Sequence, residues 1–173
     1  MKLKIFITII IISTISSCSL ILNGRYGREN FNMKREPYIG EGLKTNGIYQ
    51  TKLEEDYALF FYKNGVLLTP FCLNYTLKEK EKTIDYFKTI NKENNPCNDI
   101  VYAWGIFIVE GDVLSIESWV SGEFGHKYRT KVSNGRIIND STIYINDWGI
   151  KDRDTFNFIA LPSKPDSTNN FIK

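Results

Sequence analysis

The stretch VYAWGIFIVEGDVLSIESWV, residues 101–120, decides the fold class. Its first part, Val101 to Val109, is apolar at nearly every position, so a strand there is buried on both faces and central in its sheet. Glu110-Gly111-Asp112 turns the chain, and Val113 to Val120 returns as a second strand. Strands joined by so short a turn pair antiparallel.

The same reading extends outward. Upstream, Gly47 to Lys52 and Tyr57 to Lys63 are strands. Asn64-Gly65 then makes a hairpin, because both residues tolerate positive φ, and Val66 to Cys72 returns. Downstream, His126 to Ser133 alternates. His126, Tyr128, Thr130 and Val132 lie on one side, and Lys127, Arg129 and Lys131 on a wet basic side. Asn134-Gly135 predicts another hairpin. Arg136 to Ile145 follows, with a turn or bulge at Asn139-Asp140-Ser141, and Thr155 to Leu161 closes the set. These about eight short strands make an all-β chain, and closing an antiparallel meander into a barrel removes its edges. A barrel of that size is filled by side chains or holds one small ligand.

One segment is not β. Thr76-Leu77-Lys78-Glu79 matches a capping box, and Leu77, Ile84, Phe87 and Ile90 share a helical stripe. The expectation is one α-helix, about residues 77–91, inserted between the third and fourth strands. The charge run at 78–82 reads as its solvated face.

The N-terminus reads as an address. Lys2 and Lys4 precede an apolar run, Ile5 to Ile12, far short of the ~20 residues that span a bilayer. Ile15-Ser16-Ser17-Cys18 resembles a lipobox, an aliphatic residue and two small ones before Cys. That resemblance makes residues 1–17 a lipoprotein signal and Cys18 the lipid-bearing first residue of the mature chain. Two or three acyl chains hold stably where one holds marginally. With no acidic residue just after Cys18, the expected place is the cell envelope, lipid-anchored on the periplasmic face of the outer membrane. Residues 18–42 are expected to be the lipidated N-terminus and a flexible tether, 43–162 the barrel, and 163–173 a disordered tail.

Removing the signal changes the charge. The whole chain has 22 basic and 20 acidic residues. Losing Lys2 and Lys4 leaves 20 against 20, so there is no electrostatic case for nucleic acid. It also leaves Cys72 and Cys97 as an even pair in an oxidising compartment, either bridged or buried as free thiols. A bridge would contribute about 3.5 kcal/mol in the chain-entropy picture.

Little catalytic chemistry survives inspection. A single histidine, His126, argues against multi-histidine zinc sites and a Ser-His-Asp triad. Asp147, Asp152 and Asp154 lack calcium-loop spacing and read as a polar loop, and Glu54-Glu55-Asp56 as a solvated turn. No cofactor motif is present, and a binding domain is expected, not an enzyme.

Gly47-Ile48-Tyr49, the run from Trp104 to Asp112 and the run from Gly135 to Ile143 together resemble the small lipocalin-like lipoproteins of Gram-negative bacteria. Tyr49 stands where that family usually has Trp. The resemblance implies an antiparallel barrel and an apolar ligand. A shorter one, Ser121 to Tyr128, is similar to a loop of the membrane-bound lysozyme-inhibitor lipoproteins. Two functions follow as expectations. In the first, the barrel binds a small apolar ligand lined by Tyr49, Phe61, Trp104 and Tyr128. In the second, a solid barrel meets an envelope protein or glycan through loops, with an exposed aromatic patch around Trp119, Phe124 or Trp148.

Overall fold

Eight strands join edge to edge in sequence order, all antiparallel, and the last closes on the first. The structure is a computed structural model that describes residues 27–51, 57–73, 79–121, 127–146, 148 and 155–173. The strands are β1 (Gly47–Thr51), β2 (Ala58–Phe61), β3 (Val66–Leu68), β4 (Trp104–Glu110), β5 (Val113–Val120), β6 (Arg129–Asn139), β7 (Thr142–Ile145) and β8 (Thr155–Ala160). Closure runs from Gly47 opposite Ala160 to Thr51 opposite Phe156. This is an up-and-down antiparallel barrel with no free edge, the architecture of lipocalin-type barrels. One helix, α1 (Lys80–Thr89), is inserted between β3 and β4.

Pairing fixes which face each residue takes, because paired residues share a face and neighbours along a strand alternate. Tyr49, Leu59, Phe61, Leu67, Phe107, Leu114, Ile116, Ile143, Ile145 and Phe156 form the interior cluster. Ile48, Ala58, Phe60, Val66, Leu68 and Trp104 point outward, yet they too are buried. They lie under Phe87 of α1, Ile90 just after it, Phe31 and the C-terminal Phe171 and Ile172. The continuous apolar runs in β2 and β4 are thus explained by two cores, one inside the barrel and one on the outer face of β1–β4.

Local chemistry places the ends. Gly65 (φ +78°) and Gly111 (φ +64°) occupy left-handed turns after β2 and β4, where other residues are strained. Pro70 and Val101 start 3₁₀ turns, Pro70–Cys72 and Val101–Ala103, so β3 and β4 are shorter than expected at those ends. Among the described residues α1 starts at Lys80, with no side-chain cap from Glu79. The Thr76 cap lies outside the described residues.

Asn134-Gly135 is not a hairpin. β6 runs straight through it, and the turn falls after Asn139 behind a register shift. Gly135 serves close approach: a Cβ there would lie 2.2 Å from the Tyr144 carbonyl oxygen. Asn-Gly signalled the need for a small residue, and that need came from the neighbouring strand.

Residues 28–43, expected within or beside a tether, are held on the barrel. Arg28 bridges Tyr128 in parallel, and the Glu29 amide donates to the Tyr128 carbonyl (2.9 Å). The Trp119 indole N–H donates to the Glu29 carbonyl (2.8 Å), and Phe31 packs on the Trp119 ring (centroids 4.1 Å). Glu117, fully buried on the outer face of β5, accepts from the Asn32 amide (2.9 Å), the Asn32 side chain (3.0 Å) and the Met33 amide (2.7 Å). The chain then crosses the far end. Tyr38 donates its amide to the Lys63 carbonyl and rests against Phe107, and Leu43 enters the interior core. The charge on Glu117 was the signal missed in the sequence, since a mid-strand carboxylate between Ile116 and Trp119 has to find donors. Glu117→Leu is expected to cost about 2 kcal/mol and to speed tryptic cleavage at Lys34 and Arg35 about thirtyfold. Unchanged cleavage would mean that the carboxylate does not hold the arm.

The C-terminal residues, expected to be disordered, also pack. The Tyr62 hydroxyl donates to the Pro165 carbonyl (2.9 Å), and the Asn170 side chain donates to Asp99 (2.7 Å). Arg28 stands over the rings of Trp119 and Phe171, tying both termini to one indole. Apolar residues near each terminus fill the outer core, so a polar, Pro-rich composition did not leave these segments free.

Candidate functional site at the barrel mouth

The two ends of the barrel differ. At the end holding Gly65, Gly111 and the turn after Asn139, residues 36–43 lie across the opening. At the other end lie the long β3–β4 excursion and the β1–β2, β5–β6 and β7–β8 connections. A cavity of about 600 Å³ opens there. Among the described residues it is lined by Thr69 after β3, Tyr102 before β4, Ser118 to Ser121 at the end of β5, Lys131 and Ser133 at the start of β6, and Trp148.

Its chemistry follows from the register. Ser118 pairs with Lys131 and Ile116 with Ser133, all on the inward face. The inward face is therefore apolar deep in the barrel and polar at the mouth. Over the described residues 127–133 the alternation is real, with Lys131 on the inward side and Tyr128 on the outward one. Lys131 faces the wet mouth, while Tyr128 and Thr130 lie outside under the N-terminal arm, where the Asn32 side chain reaches the Thr130 hydroxyl (3.4 Å). Among the described residues, four that carry hydroxyls on short side chains, one lysine, two tryptophans and a tyrosine thus border a space that suits a small amphipathic molecule.

The four lining residues expected from sequence separate. Tyr49 and Phe61 point inward and meet edge to face (5.5 Å), and Phe61 meets Phe107 likewise (4.9 Å). They pack the interior below the mouth. The Tyr49 hydroxyl accepts the Lys44 amide (3.0 Å), and burial pushes its pKa up to about 12. Trp104 and Tyr128 lie outside the barrel in the other core. None of the four lines the mouth cavity. Cys72 and Cys97 are bridged, with Cα atoms 5.4 Å apart. Of the residues expected in an exposed aromatic patch, Trp119 is buried and Trp148 is on the mouth rim. Cys18, Glu54-Glu55-Asp56, Phe124, His126, Asp147, Asp152 and Asp154 lie outside the described residues. Among the described residues no cluster of His, Cys, Asp and Glu could hold a metal ion, and no helix is long and apolar enough to cross a membrane.

A half-buried cation lies near the closed end. Lys164 donates to the carbonyls of Thr45 and Phe61 and stands 4.1 Å over the Tyr62 ring. Burial pushes its amine down to about 8. Between about pH 8 and 10.5 the unfolded chain then binds a proton that the folded chain has lost, so stability rises with pH. Burial raises the Tyr49 and Tyr62 hydroxyls, which reverses the trend above about pH 10. Urea midpoints are expected to increase from pH 7.5 to 9.5 in the native chain and to stay flat in Lys164→Met. A falling midpoint would refute this.

The comparisons add no identity: no protein-family model, no curated protein and no solved structure matches the chain.

Proposed function

We propose that the protein is a cell-envelope lipoprotein, anchored through lipid on Cys18, whose barrel holds a small amphipathic ligand at its mouth without catalysing a reaction. The observation that carries this reading is the mouth cavity. Its ~600 Å³ lies within the range of small-molecule sites. Its rim offers aromatic area from Tyr102 and Trp148, and its wall offers Lys131 and serine hydroxyls to a polar or anionic head. The Cys72–Cys97 bridge agrees with an oxidising compartment. A fatty carboxylate has the matching chemistry.

Titration with dodecanoate, followed by calorimetry, tests it. One molecule is expected to bind per chain. Lys131→Met is expected to weaken binding about tenfold, the loss of one charge-assisted contact. Ser118→Phe, which fills the cavity wall, is expected to abolish it. Absence of binding, or equal affinity in both variants, would overturn the reading.

A further inference from the structure

We infer that the open mouth of the barrel faces the bilayer that holds Cys18, with Phe71 and Tyr102 seated among lipid headgroups. The inference rests on the lipid anchor proposed above and adds an orientation to it.

The first observation is where the arm begins. The Gly27 carbonyl accepts the Tyr128 amide (2.8 Å), and the Gly27 backbone lies against the Lys127 side chain. Lys127 and Tyr128 directly precede β6, which starts at the mouth. From there the arm runs along the outer face of β5 and β6 to Glu117, and then to the closed end. The described part of the chain therefore enters the barrel at the mouth. Cys18 is nine residue steps from Gly27, at most about 30 Å of fully extended chain. β5 alone, at 8 residues, spans about 26 Å. Only a nearly fully stretched connection would bring the closed end to the membrane, whereas the mouth needs almost none of that reach.

The second observation is independent of the arm. Phe71 and Tyr102 sit on the two 3₁₀ turns at the mouth end and stack face to face (5.0 Å, 3°). They remain 42 % and 45 % exposed. Tyr128 lies 6.2 Å from Tyr102, and Val120 is exposed on the same rim. Lys127 and Arg129 are exposed beside them. Aromatic rings bordered by basic side chains are the composition that settles at a headgroup layer, the rings in the interface and the cations toward phosphate. The closed end also exposes apolar side chains, Ile39, Val113 and Ile138, but among its described residues there is no stacked aromatic pair. An amphipathic ligand in the mouth would then exchange with the membrane surface.

The full chain, made with its signal and reconstituted into vesicles of phosphatidylethanolamine and phosphatidylglycerol with a headgroup nitroxide, tests the orientation. A single bimane probe is placed at Ser121→Cys on the mouth or at Asp112→Cys on the closed end. Quenching is expected to be severalfold stronger at Ser121. Phe71→Ser with Tyr102→Ser is expected to reduce it, and Glu117→Leu, which releases the arm, to shrink the difference between the two ends. Vesicle flotation and palmitate incorporation, lost in Cys18→Ala, report the anchor separately. A chain that floats but is quenched equally at both ends, or more at Asp112, overturns the orientation while leaving the anchor intact. A native chain that takes up no palmitate and does not float overturns both. Quenching unchanged by the aromatic substitutions overturns the seating of the rings.

Discussion

Replacing Trp104 by alanine is expected to lower the free energy of unfolding by about 3–5 kcal/mol, as for other large aromatic side chains cut from a core. Trp104 is fully buried on the outer face of β4. Its surroundings come from separate parts of the chain: Phe60 and Leu68 from β2 and β3, Phe87 from α1, and Cys97 after it. The indole N–H donates to the Cys97 carbonyl (2.7 Å). The side chain thus joins the inserted excursion to the barrel wall, and its removal leaves a cavity that rigid strands on one side cannot close. Trp104→Phe keeps most of the apolar area and loses the donor, so about 1 kcal/mol is expected. Guanidinium unfolding followed by far-ultraviolet circular dichroism measures both. A cost near 1 kcal/mol for the alanine variant would mean that the excursion repacks onto the barrel and that the outer cluster is not a fixed core. The expectation that Trp104 lines a ligand site makes a different demand, since trimming a lining residue changes affinity more than stability.

That contrast shows where the sequence was readable. Period-two alternation and turn residues gave a closed antiparallel barrel of about eight strands, because both are local signals, although the sixth and seventh strands part after Asn139 and not at Asn134-Gly135. Val101–Ala103 is a 3₁₀ turn that leaves Tyr102 exposed, whereas the reading of Val101–Val109 as buried on both faces holds for Trp104–Phe107. What covers its outer face was not readable, because the cover comes from Phe31, Phe87 and Phe171, at three separate points of the chain. Single apolar residues in polar segments carry no periodicity, so residues 28–43 and the C-terminal tail looked unstructured. Parity along a strand tells which residues share a face, but not which face is inside. Tyr128 and Trp104 were therefore assigned to the wrong sides, and only cross-strand register resolved them. The mouth is polar because its inward positions lie at strand ends next to solvent. Ser118 and Ser133 show that gradient, one strand turn from the apolar Ile116 and the small Gly135.

Breaking the Cys72–Cys97 bridge, as Cys72→Ala with Cys97→Ala, is expected to cost about 3.5 kcal/mol. The sequence separation of 25 sets that figure through the entropy restored to the unfolded chain. The cysteines bracket the excursion that carries α1, so the bridge pins both ends of the element that covers the outer core. Cys97 is fully buried and Cys72 half-buried, and alanine leaves little unsatisfied chemistry at either. The inner core is built from other residues, and none of its buried members comes from the excursion. Loss of the bridge should therefore act unevenly. Hydrogen exchange is expected to accelerate first in α1 and the two 3₁₀ turns, while the β5–β6 ladder keeps the protection set by the global stability. If both regions accelerate equally, the excursion and barrel unfold as one unit and the two cores are not separable. If the urea midpoint moves by less than about 1 kcal/mol equivalent, the packing of Phe87, Ile90 and Trp104 holds the excursion without covalent help. The bridge also sets a condition on the mouth. Phe71 adjoins Cys72, and Tyr102 reaches Cys97 only through the short segment 98–101, so the aromatic pair offered to the membrane is held at its spacing by the same covalent link. Reduction should then weaken the end-to-end difference in lipid quenching as well as the fold, and the first effect should appear at lower denaturant than the second.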